Sequence, residues 1–131
     1  MPFQVTWDDK EKTIVVQTYS GKVLVEDYYD AIDKSAELLS SVQHPVDLIM
    51  DTSEAKTDMK GFLTAASYAN KKVPENQRLV IVVAADRFMQ TMARIAGTIA
   101  PKAAENVYFV DTLEDARNVI TEYRQSQNQS E

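Results

Sequence analysis

"DLIMDTSEAKTDMKGFL", residues 47–63, sets an apolar run against an aspartate, a polar loop and a glycine. With the valine before it, "VDLIM" reads as a short buried strand that ends at Asp51. Met59, Phe62, Leu63, Ala66 and Ala69 then recur at three- and four-residue steps. That spacing predicts a helix from Met59 to about Lys72, with Pro74 as the stop. A strand, a loop leaving its carboxyl end and a helix returning over the sheet make the repeating unit of a parallel α/β fold.

The flanks extend the pattern. Downstream, "RLVIVVAA" is the most uniformly apolar strand of the chain and calls for cover on both faces. Asp86 is placed to cap the helix "RFMQTMARIAGTIA", whose stripe is Phe88, Met92, Ile95, Ala96 and Ile99 and whose end is marked by Pro101. "NVYFV" is a last strand, and "TLED" resembles a capping box ahead of a helix packing through Leu113, Ala116, Val119, Ile120 and Tyr123. Upstream, "FQVTW" and "TIVVQTY" flank the charged turn "DDKEK" as a hairpin. After "SGK", Val25, Tyr28, Tyr29, Ile32, Ala36 and Leu39 form a helical stripe that ends before His44-Pro45.

The order is therefore ββαβαβαβα, an α/β mixed sheet with a parallel β/α superhelical core. It forms one domain over residues 1–125 with a polar, frayed tail at 126–131. If successive strands lie side by side, right-handed crossovers put the helices on one face. That conflicts with a central strand apolar on both sides. Either the winding reverses, or another chain or an unexpected element covers the second face.

The 131 residues suffice for a core without staples, and the chain has no cysteine. Disulfides, thiolate metal sites and cysteine nucleophiles are excluded, and the cytoplasm is the expected location. The start "MPFQVTWDDKEK" does not read as a signal peptide, and no stretch is long enough for membrane insertion. Twenty acidic against 14 basic residues, a net charge of -6, argue against nucleic acid as a partner. Lys71, Lys72 and Arg78 are expected to solvate a helix end and a loop.

The stretch 47–63 resembles the signature of the STAS domain, the fold of bacterial anti-sigma-factor antagonists. Asp51 and Ser53 match the family's strand end, Asp58 its loop aspartate and Gly61 its glycine, while Met59 and Lys60 stand where the family carries serines. One of those serines is the family's phosphorylation site, at a helix start where free N–H groups stabilise a phosphate. Methionine and lysine cannot serve. Ser53 and Thr57 remain as hydroxyls off the matched position and read as cap or turn residues. "HPVDLIMD", "LVIVVAADRFMQTMARIAGTIAPK" and "VYFVDTLEDARNVI" resemble more closely the STAS/SEC14-type branch, small bacterial proteins lacking the phosphorylated serine. That resemblance implies a β/α superhelical fold, dimerisation and binding of an apolar ligand between helices, with no settled activity.

Candidate sites divide by chemistry. Asp51, Asp86 and Asp111 follow parallel strands, where a carboxylate triad could hold magnesium, but capping of the next element is the favoured reading. Gly21, Gly61 and Gly97 are too far apart for a phosphate cradle. His44, the sole histidine, precedes a proline in a polar loop, and no "GxSxG" elbow is present. No catalytic residue, metal or cofactor is assigned. The best lead is soft apolar surface on the second and third helices: Met59, Phe62, Leu63, Phe88, Met89 and Met92. Phe88 and Met89 diverge by about 100° and cannot both face one core. These residues are expected to line a groove for a homodimer partner, another protein or a lipid-like small molecule. The expectation is a non-enzymatic binding or regulatory module, or alternatively a carrier or sensor of an apolar ligand.

Overall fold

The computed structural model describes residues 2–56, 59–84 and 87–129; the side chains of residues 59, 60, 88, 89, 92 and 129 lie outside that description. The elements follow the expected order: β1 (Phe3–Trp7), β2 (Ile14–Lys22), α1 (Val25–Ser40), β3 (Val46–Lys56), α2 (Met59–Asn70), β4 (Gln77–Val83), α3 (Arg87–Ile99), β5 (Val107–Val110) and α4 (Leu113–Gln129). The sheet runs β1-β2-β3-β4-β5, antiparallel at the first pair and parallel thereafter. Sequence neighbours are therefore spatial neighbours throughout.

Two boundaries differ from the sequence reading. β3 does not stop at Asp51: past an irregularity at Thr18/Ser20, the pairs Ser20–Glu54, Gly21–Ala55 and Lys22–Lys56 carry it on. Polar side chains hide this extension because its partner, "SGK", is polar too. Gly21 sits at φ +65 within it, a conformation that costs glycine little. Thr52 is buried, its hydroxyl donating to the Val83 carbonyl at 2.8 Å, which ties β3 to the end of β4. At the other end of the chain, α4 continues to Gln129, into the segment read as a frayed tail.

The question of the second face is settled by α4. Val15, Tyr19, Leu48, Val80 and Val82 point to the side of α1 and α2. Ile14, Val16, Ile49, Leu79, Ile81 and Val83 point the other way and pack on Ala116 and Ile120 of α4. The helices α1, α2 and α3 connect parallel strands and share one face, as right-handed crossovers require. α4 follows β5 and is not a crossover between two strands of this sheet, so that rule does not hold it to the same face.

A buried ion cluster fixes that crossing. Asp47 is fully buried, and Arg78 binds it through Nε (2.9 Å) and Nη2 (2.8 Å). Arg124 of α4 adds Nη2 at 3.0 Å and also donates to the Thr13 carbonyl at 3.2 Å. The carboxylate further accepts the Leu79 N–H at 3.1 Å. Arg78 thus belongs to an internal clamp and does not merely solvate a loop. Its guanidinium is held above its ordinary pKa, chiefly by the Asp47 hydrogen bonds.

Candidate functional site

The two faces are filled differently. Between the sheet and α1–α3 lies a cavity of about 450 Å³. The strands supply its floor through Leu48, Met50, Val80 and Val82, and among the described residues the roof combines the larger Tyr28, Ile32 and Phe62 with several alanines: Ala36 of α1, Ala65, Ala66 and Ala69 of α2, Ala93 and Ala96 of α3, and Ala100 just past its end. Alanine is the strongest helix former and also the shortest apolar side chain. These helices are therefore stable as helices yet reach only a short way toward the sheet. α2 packs on both α1 and α3.

Polar clasps hold the roof at its margins. The Tyr68 hydroxyl donates to Asp33 at 2.7 Å, and the Tyr29 and Tyr68 rings meet at a tilt of 41° with centroids 4.4 Å apart, joining α1 to α2. The Asp33 hydrogen bond is the first cause of a raised Tyr68 pKa. The Asn70 side-chain oxygen accepts the N–H groups of Lys102 (2.8 Å) and Ala103 (3.2 Å), joining the end of α2 to the segment after α3.

Three buried polar side chains interrupt the apolar lining. The Tyr19 hydroxyl donates to Gln17 Oε1 at 2.6 Å, and Gln17 Nε2 donates to the Ser35 hydroxyl at 2.7 Å. Their exposures are 1%, 3% and 6% respectively. Burial, with Tyr28 adding to it, pushes the Tyr19 phenol well above its ordinary value.

Of the residues expected to form a groove, Phe62 lines the cavity, whereas Leu63, half-buried on α2, does not. The side chains of Met59, Phe88, Met89 and Met92 lie outside the described set. Asp51 lies within β3, not at its end. Its Oδ1 accepts the N–H (3.1 Å) and hydroxyl (2.7 Å) of Ser53. Gly61 falls in the first turn of α2, two residues after the helix begins. Asp58, Thr57 and Asp86 lie outside the described residues. Asp111 precedes Thr112, whose hydroxyl accepts the Asp115 N–H at 3.0 Å, the expected cap of α4. His44 is exposed, with Nε2 at 2.8 Å from the Lys12 carbonyl.

The sequence reading missed Gln17, Ser35 and the alanine wall. A signal existed: Gln17 breaks the apolar face of "TIVVQTY", and small residues at 65, 66, 69, 93, 96, 97 and 100 repeat at helical spacing. Among the described residues, no group of three His, Asp or Glu side chains could hold a metal ion, and no helix is long and apolar enough to cross a membrane.

No family model matches the chain, and no curated protein matches it. Among solved structures, an uncharacterised protein of the DUF3478 family from Shewanella loihica, with a SpoIIAA-like fold, superimposes with a TM-score of 0.61. The alignment spans 88% of this chain and 90% of that one, at 14% identity. The fold is SpoIIAA-like. The STAS resemblance in residues 47–63 is thus matched by the arrangement of the whole sheet. Within this SpoIIAA-like frame, the cavity lies under the three crossover helices, and α4 closes the opposite face.

Proposed function

We propose that the protein is a non-enzymatic binding module that holds a small apolar molecule between the sheet and α1–α3. The observation that carries this reading is the alanine-walled cavity of about 450 Å³. Its volume is that of small-molecule sites, which span roughly 300–1,000 Å³. A recess of that size leaves the apolar side chains around it short of packing partners, which is unfavourable. Water gains few hydrogen bonds against methyl groups, so an apolar occupant is the natural way to offset that cost.

Native mass spectrometry of freshly purified protein, before and after denaturation, tests the reading. The expected result is an adduct of small-molecule mass that is lost on denaturation. Absence of any adduct, together with failure of added apolar molecules to shift the methyl resonances of Ala66 and Ala93, overturns it.

A second reading, a regulatory module working through protein contacts or homodimerisation, is favoured by a separate observation. Ile95 and Ile99 of α3 are 44% and 49% exposed, and Tyr108 of the edge strand β5 is 45% exposed. A mass of twice the monomer with nothing released on denaturation would support that alternative.

A further inference from the structure

The polar chain in the cavity wall has a donor surplus that does not depend on how its hydrogens are placed. Tyr19 offers one O–H, Ser35 one O–H and Gln17 two N–H groups. The chain contains two hydrogen bonds, Tyr19 to Gln17 and Gln17 to Ser35. Two of the four donors therefore remain. Turning the Gln17 amide over exchanges which hydroxyl is spent but leaves the surplus at two, one of them always on Gln17. Among the described residues, none of the three side chains has a further hydrogen-bond partner. All three line the cavity and are more than nine-tenths buried. Unmatched donors in such a place cost free energy, and an acceptor brought by an occupant relieves that cost.

Charge decides what kind of acceptor. A carboxylate or phosphate seated here would lose its hydration without gaining a counter-charge, which costs more than two neutral hydrogen bonds return. The two cations of the lining, among the described residues, are not buried with the chain: Lys72 is half exposed and lies 3.8 Å from Asp33, and Arg94 is exposed. The raised Tyr19 phenol shows the same resistance of this region to negative charge.

Resting on the cavity reading above, we infer that the occupant is an apolar molecule bearing a neutral carbonyl group, whose oxygen is received by the donors of the Gln17–Ser35–Tyr19 chain. The aliphatic remainder lies along the alanine wall. Ser35 and Gln17 are then specificity residues, reading an acceptor in a site that otherwise reads only shape.

Three probes of similar size separate the possibilities: octan-2-one, octanoate and 1-chlorooctane, each titrated into protein labelled at alanine methyls and glutamine side-chain amides. The ketone is expected to bind about tenfold more tightly than the chloroalkane, the worth of one or two neutral hydrogen bonds. It alone should move the Gln17 amide resonance. Ser35→Ala and Gln17→Leu should bring the ketone toward the chloroalkane while leaving chloroalkane binding in place. Should either variant fail to fold, the Gln17 amide shift in the native protein still decides. Equal binding of ketone and chloroalkane, or an unmoved Gln17 amide, sinks the inference while leaving the cavity reading intact. Tightest binding by octanoate also overturns it, placing an anion against the rim cations. If none of the three binds, the cavity reading fails and the inference falls with it.

Discussion

The two faces of the sheet are built from adjacent residues of the same strands, yet they have opposite interiors. Leu79 and Ile81 of β4 face α4 through a tight layer of branched side chains, closed at one end by the Asp47 clamp. Val80 and Val82 face alanines and a cavity. The contrast shows that close packing and open space can be divided between the sides of one sheet. The α4 face supplies cohesion, so the other can leave space under its helices.

The largest effect should come from breaking the clamp. Asp47→Ala leaves two guanidinium groups without their shared carboxylate and removes the partner of the Leu79 N–H. Denaturant unfolding should show a loss of about 4 kcal/mol, within the range for disrupted buried pairs. Next, Ile120→Ala opens a hole in the α4 face, where Ile120 is 1% exposed, and should cost about 3 kcal/mol. The matched change on the other face, Ala66→Leu, adds volume where there is room. Its stability should stay within about 1 kcal/mol of the native protein, while binding of apolar probes is lost. A loss at Ala66→Leu as large as that at Ile120→Ala would erase the distinction between the faces.

The smallest effect concerns pH at the edge of the clamp. Burial tends to raise the Asp9 carboxyl, but the Thr13 hydroxyl, the N–H groups of Thr13 and Ile14 and the nearby Arg124 outweigh this and hold it below 3.8. A lowered folded pKa means that its contribution is present above the unfolded value and is lost as pH falls through the folded one. Melting curves between neutral pH and pH 3 should therefore show a steeper acid loss for the native protein than for Asp9→Asn.

The fold was legible because its elements carry strong periodic signals. The stripes in α1, α3 and α4 and the apolar run of β4 mark the type and order of the elements, though Ile95 and Ile99 of the α3 stripe are exposed; the demand of β4 for cover on two faces raised the question that α4 answers without naming α4. The polar half of β3 was not legible, since Thr52 to Lys56 is held in the sheet by pairing with an equally polar partner. The candidate site was harder to read for a different reason. Attention to bulky soft residues such as Met89 and Met92 favours places where side chains are large, whereas a cavity forms where they are small. Asp47 likewise reads as one polar residue in an apolar strand until Arg124, far along the chain, is seen beside it.

The strictly sequential strand order has a consequence for how the chain acquires its structure. Each new strand can add to the one before it across a hairpin or a single crossover helix, so no pairing in the sheet has to wait for an element made more than one step later. On the ribosome, where the N-terminal part emerges first, one side of the growing sheet can be roofed as synthesis proceeds. The other side waits for the last 17-residue helix. Until α4 emerges, the Ile and Leu side chains it covers are bare on a nascent sheet, and that interval is when the chain is most exposed to aggregation.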